Sequence, residues 1–547
     1  MEFYTYMMAL NLRKLLKPLL VYYNDWKTNQ REYNHLKRLL KSAKREQLLD
    51  KKIVINTVRC VKSQIDREFF MGKLLAMNGA KVYMLLDDGV LKHTESYQVD
   101  NLPNIRKIYR FKFNPYPHFY INSRHYMQTF INKINLKKAL TTYIDKNLKI
   151  IYYSKILKEN KVNIENWQEL KDYAKSSTIR FFKTSELDYN DKYIKFYYNL
   201  SLKNSILSKN IGEYVLNKIK PNYFITAHGI YSTWAPAYHF VRKNGMETIV
   251  YSSVHGHSLN PREIYTSSNS RTYFLSSSKF WKQFKDKPVT EEMKAKIEDY
   301  FRKRQQYATS DTKVLYQGKM SSLIVNKNDG FKYHLALFPN VIWDGNICDR
   351  HKIFRDYKDW ILSTINFVKE KKDIKLYIKS HPSEITVLKN SPRIVDIIKN
   401  NINLEDVDNV ELIPPEKLIN TYEFLKSGID LGLVYDGFLA VEMPFIKIPT
   451  IMCVKGGMFA VEGGNITFTK KSEYFDYLDN IDQLLEKFHR NYQEYYDNIV
   501  RYAYWYIFEI AIKLPTLSKI NYIGTDLLQL RKEDLTIDKK LLNLFED

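Results

Sequence analysis

The residues from Lys51 to Gly89 constrain the fold more than any other part of the chain. KKIVINTVRC is a short β-branched run, QIDREFFMGKLLAMNGA is an amphipathic helix that stops at Gly79, and KVYMLLDDG is a second strand. Strand, helix ended by glycine, strand is a βαβ unit, which demands a parallel sheet and a right-handed crossover. The unit returns as PNYFITAHG, TWAPAYHFVRKNG and METIVYSSVHGHS. A second alternating series runs from HLALFPNVIWDGN through YKDWILSTINFVKEKK, IKLYIKSHP, SPRIVDIIKNN, NVELIPP and EKLINTYEFLKSG to IDLGLVYDG, FLAVEMPFIK and IPTIMCVKGG. Its strands are near-continuously apolar, as expected when helices cover both faces of a sheet.

A chain of 547 residues is too long for one ordinary core. It reads as two doubly wound α/β domains in tandem, their carboxyl edges facing across a cleft. The expected layout is a helical extension over 1–50 and a first domain over 51–310, with a helical insertion at about 112–210. A second domain follows over 331–490, and a helical tail over 491–547 packs back on the first. The stretch 306–330, with SDTK and NKNDG, is the expected linker.

Charge and cysteines narrow the class. Lys plus Arg number 85 against 61 Asp plus Glu, a formal charge of +24. That balance suits nucleic acid, an anionic membrane surface or anionic substrates. Cys60, Cys348 and Cys453 are isolated, with no CxxC and no Cys/His cluster. Such usage points to a reducing compartment and a cytoplasmic location. No apolar run reaches the roughly 18 residues that span a bilayer. The opening stretch Met1–Trp26 sets Arg13, Lys14 and Lys17 among leucines. That pattern can lie on the inner face of a membrane, and equally can pack on its own protein.

In open α/β sheets, ligands sit outside the carboxyl ends of the strands. That rule selects Thr57, Arg59, Asp87, Asp88, His228, Gly229, Tyr231 and the loop His255-Gly256-His257 in the first domain, and Asp344, Gly345, His381, Pro382, Ser383, Glu384, Asp436 and Gly437 in the second. Glu442 follows one helical turn later. In LYIKSHPSE (Leu376–Glu384) a histidine ends a buried strand, where it can donate to a phosphate oxygen. Pro382 can then open the next helix, where its missing N–H costs nothing. Glu442 is placed to accept from sugar hydroxyls of a nucleotide. The plainer alternatives are a turn histidine and a solvated helix carboxylate.

Asp66, at the start of the first helix, and His228 are the candidates for a general base, and Lys379 or Lys319 for a phosphate cation. No metal is expected. Asp406-Val407-Asp408 sits in a loop that reads as solvated, and His255-Gly256-His257 lacks a third ligand at metal-site spacing. GxGxxG, GxxxxGK[ST] and GxSxG are all missing, which argues against a dinucleotide oxidoreductase, a P-loop ATPase and the common hydrolase route.

The order HGIYSTWAPAYHFVRKNG, LFPNVIWDGN followed by DYKDWILSTI, LYIKSHPSE and GLVYDGFLAVEMPFIKIPTIM resembles bacterial capsule and surface polysaccharide biosynthesis proteins. These look like glycosyltransferases of the GT-B class with a His-Pro motif. The resemblance spans about 50–515 and is strongest over 334–452. It implies two Rossmann-like domains, with the nucleotide-sugar bound mainly by the second and His381 on the donor phosphate. Glu442 matches the family's acidic helix position. Tyr435-Asp436-Gly437 stands where serines are common and Lys447-Ile448-Pro449 where a Gly-x-Pro is common, which leaves the donor type open.

The implied activity moves a sugar from a nucleotide-activated donor to a capsule or surface polysaccharide, or to a lipid-linked glycan. It needs no cofactor beyond the nucleotide-sugar substrate. Contact with the inner membrane or an export complex is in keeping with it, and a nucleic-acid partner is not expected. Three alternatives stay open: a CDP-polyol phosphotransferase of teichoic-acid type, a non-hydrolysing sugar-nucleotide epimerase, and a non-catalytic basic scaffold that binds polysaccharide or nucleic acid.

Overall fold

The structure, a computed structural model, describes parts of 31–39, then 47–58, 62–92, 136–160 apart from 138 and 144, 167–253, 263–267, 278–308 and 320–346. It continues over 350–385, 392–405, 407–454, 457–510, 512–513 and 539–545. The N-terminal stretch 1–30, and with it the expected membrane-surface segment, lies outside these residues. Among the described residues no helix is long and apolar enough to cross a membrane.

The first lobe is built from β1 (Lys52–Thr57), α1 (Lys62–Met77), β2 (Lys81–Leu86), β3 (Leu148–Tyr152), α2 (Tyr153–Glu159), α3 (Trp167–Phe182) and α4 (Lys192–Tyr214). It continues with β4 (Tyr223–Ala227), α5 (Tyr231–Lys243), β5 (Glu247–Ser253) and β6 (Glu263–Ser267). β3-β2-β1-β4-β5 is a continuous parallel run, with β6 antiparallel beyond it. The span expected as a purely helical insertion therefore contributes a strand, Val82 to Leu86 pairing with Leu148 to Tyr152. LKIIY escaped the sequence reading because its two buried residues, Leu148 and Ile151, stand three apart, one on each face, and leave no alternation. Its few apolar positions give too short a period to detect.

The helices α4 and α5 pack through small and polar side chains. Pro236 lies inside α5 and interrupts its hydrogen-bond ladder. Ser208 of α4 enters the break: its Oγ donates to the Thr233 carbonyl at 2.8 Å and accepts from the Ala237 N–H at 3.3 Å. Only a helix with Ser205, Ser208 and Gly212 on its inner face can come that close.

The second lobe comprises β7 (Tyr333–Phe338), α6 (Tyr357–Val368), β8 (Ile374–Lys379), β9 (Val410–Ile413), β10 (Leu431–Val434), α7 (Leu439–Phe445), β11 (Thr450–Met452) and β12 (Ile466–Thr467). The sheet order is β12-β11-β10-β7-β8-β9, all parallel. The run expected as one strand over HLALFPNVIWDGN stops at Phe338, because Pro339 has no N–H to continue the ladder.

Two stretches pack on a different lobe from the one expected. Met293, Ile297, Tyr300 and Phe301 of the helix Glu291–Gln305, with Trp281 and Phe284 before it, are buried in the second core. A polar helix with a single apolar stripe carries no mark of which core will take it. The helix Tyr492–Tyr504 also packs on the second lobe through Ile499, Val500, Tyr502 and Ala503. Only beyond it does the chain return: β13 (Ile512–Lys513) joins β6 antiparallel, and Leu541, Leu542 and Phe545 enter the first core.

In each sheet the chain runs outward in both directions from a central pair, β1 and β4 in the first and β7 and β10 in the second. These are the topological switch points, where crossover helices leave on opposite faces and the strand ends open a crevice. The protein is thus two Rossmann-like doubly wound domains, as expected from its sequence.

Gly212 tests the close contact of α4 with α5. A Cβ there would lie 3.0 Å from the Ala237 carbonyl oxygen and 3.2 Å from its Cα, both backbone atoms. Helix propensity alone favours Gly→Ala by about 1 kcal/mol, whereas overpacking costs about 1–3 kcal/mol. Gly212→Ala is expected to lower stability in urea unfolding; a gain would show that the helices stand further apart.

Candidate functional site

The carboxyl end of β8 carries Lys379, Ser380 and His381, followed by a single 3-10 turn over Pro382–Glu384. Pro382 takes the first position of that turn and His381 caps it. The ring Nδ1 of His381 accepts from the Ser383 N–H at 3.1 Å and lies 2.5 Å from Ser383 Oγ. Because Nδ1 accepts, the neutral ring carries its proton on Nε2. Burial drives the imidazole's pKa down to about 4; the nearby Lys379 ammonium adds to this and the Asp344 carboxylate opposes it. At neutral pH His381 is an uncharged donor, oriented by the turn it caps.

The switch point of the second sheet forms the floor. Asn340, just past β7, donates its side-chain amide to the Asp436 carbonyl at 2.9 Å, tying the ends of β7 and β10 together. Arg350 pairs with the Asp436 carboxylate at 2.6 Å, and both side chains are almost fully buried. The same guanidinium donates to the Gly345 carbonyl at 3.0 Å and the Tyr357 hydroxyl at 2.8 Å. Burial pushes the Asp436 carboxyl up, and the Arg350 charge pulls it back. Beneath this layer His351 bridges the Tyr435 hydroxyl (2.7 Å) and the Asn346 side chain (2.9 Å). Burial holds His351 near a pKa of about 3, so it too is neutral.

A second buried pair stands on the far side. Glu442 Oε1 accepts from Arg304 Nε at 2.5 Å and from the Tyr422 hydroxyl at 2.6 Å. Between these layers lies a cleft of about 420 Å³, walled by the ends of β7, β8 and β10 and by Arg304 and Tyr307.

The structure sorts the sequence candidates. Asp344, Lys379, His381, Pro382, Ser383, Asp436, Gly437 and Glu442 all line this one cleft. Glu384 does not: its buried carboxylate turns to the Ile394 N–H at 3.4 Å, and burial pushes its pKa up to about 7. Asp436 is spent on Arg350, and one oxygen of Glu442 on Arg304 and Tyr422, so neither is a solvated carboxylate.

His228 and Tyr231 lie at the end of β4, with His228, Gly229 and Tyr231 all in left-handed backbone (φ 53°, 65° and 66°). The His228 ring rests against Trp234. Neither residue lines the cleft. Tyr231 instead meets the second lobe, its hydroxyl accepting from the Gly345 N–H at 3.3 Å. Arg59, His255, His257 and Lys319 lie outside the described residues, as does the side chain of Asp66.

Arg304, Asn340, Arg350, His351, Tyr307 and Tyr422 escaped the sequence reading. The strand-end rule could have found Asn340, which sits two residues past β7. The arginines are sequence-anonymous: Arg304 is one cation among several in YFRKRQQY. The ion pair at the floor carries a stability prediction. Asp436→Ala leaves Arg350 buried without its counter-charge and is expected to cost about 3–5 kcal/mol. Removing both charges, as Asp436→Leu with Arg350→Met, should cost much less, as chemical denaturation can check.

No family model matches the chain, and no curated protein matches it. Solved structures similar to parts of it include the Thermosulfurimonas dismutans KpsC, a beta Kdo 2,4 transferase. It is 13% identical over 46% of this chain and 75% of its own, with a TM-score of 0.33. The Neisseria meningitidis UDP-GlcNAc 2-epimerase bound to UDP-GlcNAc is 13% identical over 84% and 98%, with a TM-score of 0.27. The S. aureus MnaA, solved with UDP, is 13% identical over 83% and 94%, with a TM-score of 0.26.

Proposed function

We propose that the protein is a glycosyltransferase that moves a sugar from a nucleotide-activated donor to a capsule or surface polysaccharide, or to a lipid-linked glycan. One observation carries the reading. At the switch point of the second sheet, His381 lines a cleft with Nδ1 engaged by the turn and its proton on Nε2. An oriented neutral donor beside a lysine fits a phosphate group at the place where open α/β sheets bind nucleotides. The cleft volume of about 420 Å³ falls within the usual range of small-ligand sites, about 300–1,000 Å³.

In this mechanism the His381 N–H and the Lys379 ammonium take up charge on the leaving phosphate. Glu442, whose Oε1 is fixed by Arg304 and Tyr422, is the group for donor hydroxyls. The acceptor approaches from the first lobe, with Asp66 or His228 as the base that takes its proton. Closure of the lobes keeps water from the donor. The net charge of +24 favours anionic donors and acidic acceptors, and an inner-membrane contact is consistent with it.

A thermal-shift screen against CMP, CDP, UDP, GDP and their sugars tests the reading, because a ligand of the folded state raises the melting temperature by mass action. At least one nucleotide is expected to stabilise the wild type. His381→Ala should weaken that nucleotide about 10- to 100-fold, the loss of one hydrogen bond to a charged group. If no nucleotide shifts the wild type, the reading fails. Labelled donor separates sugar transfer from transfer of a polyol phosphate.

The protonation state of His381 adds a second expectation. Its pKa lies near 4, so the ring stays a neutral donor from pH 8 down to 6. Its contribution to nucleotide affinity should then be flat across that range. The ratio of wild-type to His381→Ala affinity, measured by calorimetry at each pH, should stay constant. A ratio that climbs below pH 7 would mean an imidazolium.

A further inference from the structure

The turn that follows β7 is gripped from both lobes. From its own lobe, Arg350 holds the Gly345 carbonyl at 3.0 Å, and the Asn346 amide donates to the Ile342 carbonyl at 3.0 Å. From the first lobe come Arg180, near the end of α3, and Tyr231, at the start of α5. Arg180 Nη1 forms an ion pair with Asp344 and donates to the Tyr231 hydroxyl at 3.2 Å. The guanidinium lies over the Tyr231 ring at 5.2 Å and the Trp343 ring at 5.8 Å. Lys183 stands over the same indole at 5.8 Å.

Asp344 is the member of this group that also lines the nucleotide cleft. Its carboxylate is half-exposed and close enough for its field to act on the His381 ring. A bare carboxylate at that place opposes an anionic ligand. We infer that Arg180, a first-lobe residue outside the cleft, is the counter-charge that makes the second lobe's cleft hospitable to a nucleotide phosphate. It acts through Asp344 and is a positioning residue. The guanidinium comes from the first lobe, so anion binding by the second lobe requires the lobes to be together. This inference rests on the reading proposed above.

The arrangement predicts the sign of a double substitution. Arg180→Ala bares Asp344 and should weaken the tightest-binding of CMP, CDP, UDP and GDP about tenfold, the scale of a unit charge acting across a protein surface. Asp344→Asn should bind that nucleotide at least as well as the wild type, and Arg180→Ala with Asp344→Asn should recover to within about twofold. Arg180→Lys, which keeps the charge, should retain most of the affinity. Calorimetry on the full chain reads each constant, after melting curves show every variant folded.

A merely structural clasp gives the opposite result, because removing Asp344 as well cannot rescue lost packing. An unrescued loss, or no loss in Arg180→Ala, overturns the inference while leaving nucleotide binding intact. A wild type that binds none of the four nucleotides overturns the functional reading itself.

Discussion

The buried pair of Arg350 and Asp436 is the interaction on which the site depends. It sits where the second sheet changes direction, between strands whose helices leave on opposite faces. Nothing in a doubly wound sheet holds those two strand ends together once the ladder stops at Phe338 and Val434. Here Asn340 bridges the backbone and Arg350 bridges the side chains, reaching also to Gly345 and Tyr357. Burying two charges costs several kcal/mol each. The cost is offset in part because Gly345 and Tyr357 accept from Nη1 of the guanidinium and the backbone N–H of Phe459 supports the carboxylate. The pair ties the turn after β7 to the end of β10.

The cleft that results is built by pairing its charges. Arg350 is matched by Asp436, Arg304 by Glu442, and Asp344 by Arg180 from across the lobes. Besides these pairs the cleft is lined by Lys379 and by a neutral histidine held by its own turn. A histidine used this way is a geometric device, since burial keeps it uncharged and the Ser383 N–H chooses its tautomer. The strained backbone of His228 and Tyr231 belongs to the same economy of position. Left-handed residues cost about 1–3 kcal/mol each and persist where the surroundings over-determine them, here at the point where one lobe touches the other.

Particular residues show why some of this was legible in advance. The βαβ repeats are local patterns: β-branched runs, one amphipathic period and a closing glycine, each readable within some fifteen residues. His381 and Pro382 were legible for the same reason, since a proline after a strand-ending histidine states its own geometry. β3 was not, because its buried residues Leu148 and Ile151 stand three apart, on opposite faces of an edge strand, and give no alternating pattern amid lysines and tyrosines. Glu384 looked equivalent to Ser383, but the direction of a side chain in a three-residue turn is set by what packs beneath it.

The amino-acid order by itself determined the two doubly wound domains and the polar strand ends, several of which line one cleft, because periodicity and turn residues act over short distances. Tertiary structure alone decided which charges meet. Arg304 finds Glu442 across 138 positions, Arg350 finds Asp436 across 86, and Arg180 finds Asp344 across 164. Ion pairing depends on separation in space, and a cation looks the same in sequence whether folding brings it to a carboxylate or to water.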